Sequence, residues 1–288
     1  MDKNEYKKTK DFIEAKNIIK DFINDALDGD INNLKNNDIT LLIRKISDGN
    51  KRKKYYGDIN DPDMYYITQA IYIVVWGYIY NLTFDNMGSW GELHHPFRGD
   101  TMNSFNSIFG KDMLIAKRYN LDEMLMKKVK EYKKLYHSIG NFIVIPNRLN
   151  VNSTRANYYT IQDYFDSFIG ALYQFKNPSE NTEYSNFLKE LNNAFLENEE
   201  FSNISFEKYT SNFFLEDYLK NGIPYNVFNI PYELREKEYI GRNKRSKTMF
   251  ISKNEYISMV NNYYEVAKII IENRANNIIN ILKNEDFY

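Results

Sequence analysis

Apolar residues in this chain recur mostly at the spacing of one helix face, and that period limits the fold more than any other feature. Phe12, Ile13, Ile18, Ile19, Phe22, Ile23 and Leu27 form one such stripe, closed by Asp28-Gly29-Asp30. Leu41, Leu42, Ile43 and Ile46 form a second, ended at Asp48-Gly49-Asn50. The following KRKKYYGDINDPD reads as a basic, turn-rich connector. Asp63 is placed to cap a third helix running to about Tyr80. Its apolar centre, AIYIVVWGYIY, is far shorter than the roughly 20 residues a membrane span needs. More helices are expected at about Met113 to Tyr119, Leu121 to Tyr136, Thr160 or Asp163 through Tyr173, Thr182 to Leu196, Phe213 to Leu219, and about Lys253 to Lys283. Phe142-Ile143-Val144-Ile145, closed by Pro146, reads instead as a short buried strand. The expected fold is mainly α. It is a single helical domain over 1–288 with a short extended segment near 141–146 and long irregular loops, and any subdivision would fall between an N-terminal helical part, 1–60, and a core, 61–288.

A chain of 288 residues, 43% hydrophobic, has ample material for a core. With no cysteine, disulfides, thiolate metal sites and a cysteine nucleophile are excluded, which fits a reducing cytoplasm. Imidazole chemistry is limited to His94, His95 and His137. A formal charge of −1 gives no global attraction to nucleic acid or to an acidic membrane, so any such affinity must be local. The opening MDKNEYKKTKDF carries charges without a following apolar run, and so reads as neither a secretory signal nor a transit peptide.

Two polar constellations stand out. The first, ELHHPFRGDTMNS, lies within an irregular stretch from Asn81 to Asn106 and gathers Glu92, His94, His95, Arg98, Asp100 and Asn103. An imidazole can act as a base near neutral pH, and Arg98 can hold a phosphate or carboxylate through its planar fork. The plainer alternative is that the histidines cap neighbouring helices and Asp100 is an N-cap. The second joins His137 and Asn141 with Asn147, Arg148, Asn150 and Arg155, around a Gly140 that permits a turn other residues resist. Here the alternative is a histidine favoured by the dipole in the last turn of a helix, with Gly140 as its stop.

Two basic groups, Lys51, Arg52, Lys53 and Lys54, and Arg242, Lys244, Arg245 and Lys247, can neutralise phosphates, with Tyr55, Tyr56 and Tyr239 beside them to stack on bases. Such runs also occur as plain solvated surface. A P-loop, a GxSxG elbow, an HExxH motif and an EF-hand are missing from the sequence.

The block HSIGNFIVIPNRLN, a following Arg and DYFDSFI, with GDTMNSF upstream, resembles an uncharacterised bacterial family with a recurring His-x-Ile-Gly-Asn-Phe pattern. The chain is also similar to the His-Asn-His-like (HNH-like) nuclease domain of GmrSD-type modification-dependent restriction enzymes. That domain shows a His-x-x-Pro block, an Ile-Gly-Asn block with a later Asn, and a C-terminal Ile-x-x-Arg helix. Here the same order runs through His95-Pro96, Ile139-Gly140-Asn141-Phe142 with Asn147 or Asn150, and Ile271-Glu272-Asn273-Arg274, with a shorter His-Pro spacing. The resemblance implies His94 or His95 as the base that activates water, and Glu92 with an asparagine such as Asn141 holding Mg²⁺ or Mn²⁺ against a phosphate. It also implies a role in defence against phage.

The expectation is a nucleic-acid-acting protein with its site where ELHHPFRGD meets YHSIGN. A non-catalytic module recognising a protein or small ligand is the alternative, and convergence of the three histidines with a carboxylate would distinguish them. Transfer chemistry on a nucleotide, with Arg98-Gly99 as a phosphate clamp, is a third reading.

Overall fold

The computed structural model describes residues 2–35, 37–57, 61–88, 95–103, 123–146, 165–178, 203–231, 234, 237–240, 243–246 and 251–285. Helix α1 (Lys3–Tyr6) leads into α2 (Lys10–Ala26), whose first turn is capped by the Thr9 hydroxyl accepting from the Phe12 N–H. The apolar stripe of α2 buries Phe12, Ala15, Ile18, Ile19, Phe22, Ile23 and Ala26. Each large side chain so buried contributes about 1.5–3 kcal/mol relative to exposure. Their main partner is α5 (Tyr66–Tyr80), which is apolar nearly all round and buried from Ile67 to Gly77.

Between them lie α3 (Ile39–Lys45) and α4 (Gly49–Tyr56). The stretch expected as a connector is thus helical through Tyr56. Asp48 accepts from the Asn50 and Lys51 N–H groups, so Gly49 opens a helix and does not end one. Asp63, expected as a helix cap, is instead buried in the 3₁₀ turn Pro62–Met64, and α5 begins without a side-chain cap. Tyr72 explains the difference: its hydroxyl donates to the Asp63 carbonyl at 2.9 Å and ties that turn back onto α5.

Strand β1 (Phe97–Thr101) pairs antiparallel with β2 (Phe142–Pro146), Phe97 facing Pro146 and Thr101 facing Phe142. The expected strand is therefore present, and its partner is the FRGDT segment. Helix α6 (Glu123–Tyr136) precedes β2; α7 (Phe165–Lys176) and α8 (Phe206–Asn212) follow, and α9 (Lys253–Lys283) is the long terminal helix. The helix expected at Phe213 to Leu219 sits earlier because Ser205 caps Lys208, while Phe214 has a φ of 57° that no helix continues through. Two further hairpins complete the β structure of the described residues: β3 (Leu219–Lys220) with β4 (Ile223–Pro224), and β5 (Lys237–Ile240) with β6 (Asn243–Ser246).

The fold is mainly α. It divides into two compact units, one of Met1–Thr101, His137–Arg148 and Ile271–Tyr288, the other of Met102–Tyr136 and Leu149–Ile270. The first holds α1 to α5, the β1–β2 sheet and the end of α9. Among the described residues no helix is long and apolar enough to cross a membrane.

Candidate functional site

Within the first unit the β1–β2 register decides which sequence blocks can meet. The His95-Pro96 block precedes Phe97 and lies at the Pro146 end of the sheet. Ile139-Gly140-Asn141 precedes Phe142 and lies at the Thr101 end. Four residue rises separate the ends, roughly 14 Å. His95 and Asn141 consequently do not share a site.

At the Thr101 end, polar side chains are taken into the core. Asn141 is fully buried in the 3₁₀ turn Ile139–Asn141, so it is not presented outward as a metal or substrate ligand. Arg274, also fully buried, donates from Nη1 to the carbonyls of Gly140 and Phe142, and its guanidinium lies over Trp76 at 5.9 Å. It tethers the C-terminal helix to the Ile-Gly-Asn-Phe turn. Gly140 does not adopt a left-handed conformation; a Cβ there would collide with the Ile271 carbonyl and touch Ala275 at 3.0 Å. The glycine is needed for close approach of turn and helix.

His137 belongs to the same end. Its ring lies 6.4 Å from that of Phe142, Nδ1 is 3.6 Å from Asp38, and its carbonyl accepts from the Ile39 N–H at 2.9 Å. Asp38 in turn caps α3 through the N–H groups of Thr40 and Leu41. His137 therefore fixes the start of a helix. Asp100, in the middle of this region, is buried and accepts from the Thr101 N–H, as it is a strand residue and not an N-cap. Burial first, then the charges of Asp63 and Asp100, push the Tyr72 phenol well above its usual range, and Arg274 pulls the other way. A side chain at Gly99 would strike the Asp63 carbonyl and Tyr72. Close packing accounts for this glycine without a phosphate.

The Pro146 end is different. His95 is partly exposed, and its Nδ1 lies 2.9 Å from the Asp85 carbonyl. A carbonyl only accepts, so in the neutral ring Nδ1 carries the proton and Nε2 the lone pair. The ring rests on Gly88, where any Cβ would overlap it. The turn that holds the ring is braced from several sides. Thr83 and Asn86 exchange hydrogen bonds at 2.8 and 3.0 Å, Asn86 also donates to the Asn81 carbonyl, and Asp11 accepts from the Phe84 N–H at 2.9 Å. Gly88 donates to the Phe97 carbonyl at 3.0 Å, fastening the turn to β1. Asp85 and Gly88 escaped the sequence reading because nothing in an irregular Asn- and Asp-rich stretch marks a backbone carbonyl as an imidazole's partner.

Glu92, His94, Asn147, Arg148, Asn150, Arg155, Arg242 and Lys247 lie outside the described residues, as do the side chains of Arg98, Lys244 and Arg245. The backbones of Lys244 and Arg245 pair with Tyr239 and Glu238 in the β5–β6 hairpin. Among the described residues no three of His, Cys, Asp and Glu come together as a metal-binding group. For the cation implied by the resemblance, buried Asn141 is a poor donor.

The basic run on α4 is partly neutralised. Lys51 meets Asp25 at 2.6 Å and Lys54 meets Asp21 at 2.5 Å, both on α2, and Tyr55 donates to Asp25 at 2.8 Å. Arg52 buries its Nε, whereas Lys53 is exposed. Asn103, in the second unit, is fully buried: its Nδ2 donates to the Tyr218 hydroxyl at 2.9 Å, and its carbonyl accepts from Tyr132 at 3.1 Å. It is a core residue where a ligand contact was expected. No known family model, curated protein or solved structure matches the chain.

Proposed function

We propose that the chain acts on nucleic acid as a metal-dependent phosphodiesterase whose general base is His95. The observation that carries this reading is the Nδ1 contact to the Asp85 carbonyl, which fixes the tautomer with Nε2 as the basic nitrogen. In the reaction Nε2 takes a proton from water as its oxygen attacks phosphorus. The P–O ester bond breaks, and the leaving oxygen takes a proton from solvent. A divalent cation, Mg²⁺ or Mn²⁺, would neutralise charge on the phosphate, with Glu92 the ligand that the resemblance offers. His137, Asn141 and Arg274 have no part in the chemistry and build the scaffold. Cleavage of foreign nucleic acid in the cytoplasm, as in defence against phage, is the setting this reading implies.

The test is incubation of the purified chain with plasmid DNA and with RNA in Mg²⁺ or Mn²⁺. Wild type and His137→Ala should cleave, and His95→Ala should not. No cleavage by the wild type, or full cleavage by His95→Ala, rejects the proposal. The second reading, a recognition module without chemistry, is favoured by the position of His95 and His137 at opposite ends of β1–β2, each held by a neighbour. Binding of a partner without turnover would mark it.

A further inference from the structure

The turn that orients His95 has a second face. Phe84 and Met87, which flank Asp85, line an open groove of about 650 Å³ together with Lys53, Lys54, Tyr56 and Tyr66. The volume suits a ligand of nucleotide size. Among the described residues its lining carries two cations and no carboxylate. Lys54 shares its charge with Asp21, but Lys53 is exposed and forms no ion pair among the described residues. Tyr66 and Phe84 lie ring on ring at 4.4 Å and 37°, and the Tyr66 hydroxyl is pinned by Glu14. Tyr56 is set edge-on against Tyr65 at 4.7 Å. The aromatic platform is therefore ordered in advance, which reduces what binding must give up in entropy. Across Tyr66, a neighbouring groove of about 670 Å³ mixes its lysines with Glu14 and Asp21, and so lacks this complementarity.

We propose that the groove binds one unstacked nucleotide of a single-stranded nucleic acid, its base on Tyr56, Tyr66 and Phe84 and its phosphate at Lys53. The inference rests on the His95 reading for its purpose, since the same turn holds both the groove wall and the imidazole. A duplex keeps its base faces stacked within the helix, so it cannot use the platform without extruding a base. Single strands are the substrate class the groove selects.

The experiment is fluorescence anisotropy in EDTA, where cleavage is silent, with labelled single-stranded DNA, single-stranded RNA and duplex DNA of one sequence, repeated over a salt series. Single strands should bind at least about tenfold tighter than duplex, and preference for either sugar supports the groove. Lys53→Glu, at an exposed position, should weaken binding about tenfold and lower the slope of log K against log salt by about 0.7. Phe84→Leu should weaken it about fivefold or more with an unchanged salt slope, thermal melts confirming that both variants fold. Equal affinity for duplex, no binding, or an unaltered salt slope in Lys53→Glu overturns the groove. Selective binding without any cleavage in Mn²⁺ rejects the His95 chemistry alone, while cleavage with wild-type binding by Lys53→Glu rejects the groove alone.

Discussion

Arg274 donates to the carbonyl of Gly140 at 2.5 Å and to that of Phe142 at 3.0 Å, so the last helix is bolted to the turn before β2 by one buried guanidinium. Arg274→Ala removes that donor from two carbonyls and removes the positive charge acting on Tyr72 against Asp63 and Asp100. A loss of about 3 kcal/mol or more is expected, as for a broken buried charge interaction. Urea unfolding followed by circular dichroism measures it. Arg274→Lys should recover only part of the loss, because a compact ammonium does not reproduce the planar fork.

Gly140→Ala tests the same junction from the other side. The added methyl meets a backbone carbonyl of Ile271, which cannot swing away as a side chain end would. Overpacking of this kind costs about 1–3 kcal/mol. A thermal melt unchanged from wild type would show that helix and turn are further apart than described.

How far the sequence revealed these relationships depended on how local they are. The stripes of α2, α5 and α9 were readable because burial of one face, or of all faces in α5, imposes a period that neighbouring residues alone display. Helix α4 was not, since its interior apolar content is Tyr55 and its stability comes from Lys51 and Lys54 reaching Asp25 and Asp21 on another helix. The order of the His-Pro, Ile-Gly-Asn and Ile-x-x-Arg blocks suggested a shared site. It could not show that antiparallel pairing sends His95 to one end and Asn141 to the other, because register depends on a partner strand more than forty residues away. The partner of His95 was equally hidden: a backbone carbonyl has no residue type to recognise.

The α2–α4 contact carries a pH dependence. Burial raises the Asp25 carboxyl, but hydrogen bonds from Lys51 and Tyr55 and the charges of Lys51 and Lys54 outweigh it, leaving the pKa lowered. A carboxyl lowered on folding contributes stability above its unfolded pKa and loses that contribution as pH falls through the folded one. Asp25→Asn should therefore melt below the wild type at pH 7, with the gap closing at about pH 3 and below. An equal gap at both pH values would show that the lost interaction is not ionic.

Asn103 separates a ligand role from a core role. It is fully buried in the second unit, donating to Tyr218 at 2.9 Å while the Tyr218 hydroxyl lies 3.2 Å from its Oδ1, and its carbonyl receives Tyr132. Asn103→Ala removes a donor and an acceptor from this network and should cost about 2 kcal/mol in urea unfolding. Asn103→Asp keeps the shape but replaces the donating amide by a carboxyl whose charged form is penalised by burial, so its folded pKa is raised. The folded state then binds more protons than the unfolded one through the carboxylate range, and the deficit relative to wild type should widen as pH rises from about 3 to 7. Nucleic-acid affinity of the folded variants should match the wild type at either pH. Reduced affinity without reduced stability would return Asn103 to the list of ligand contacts.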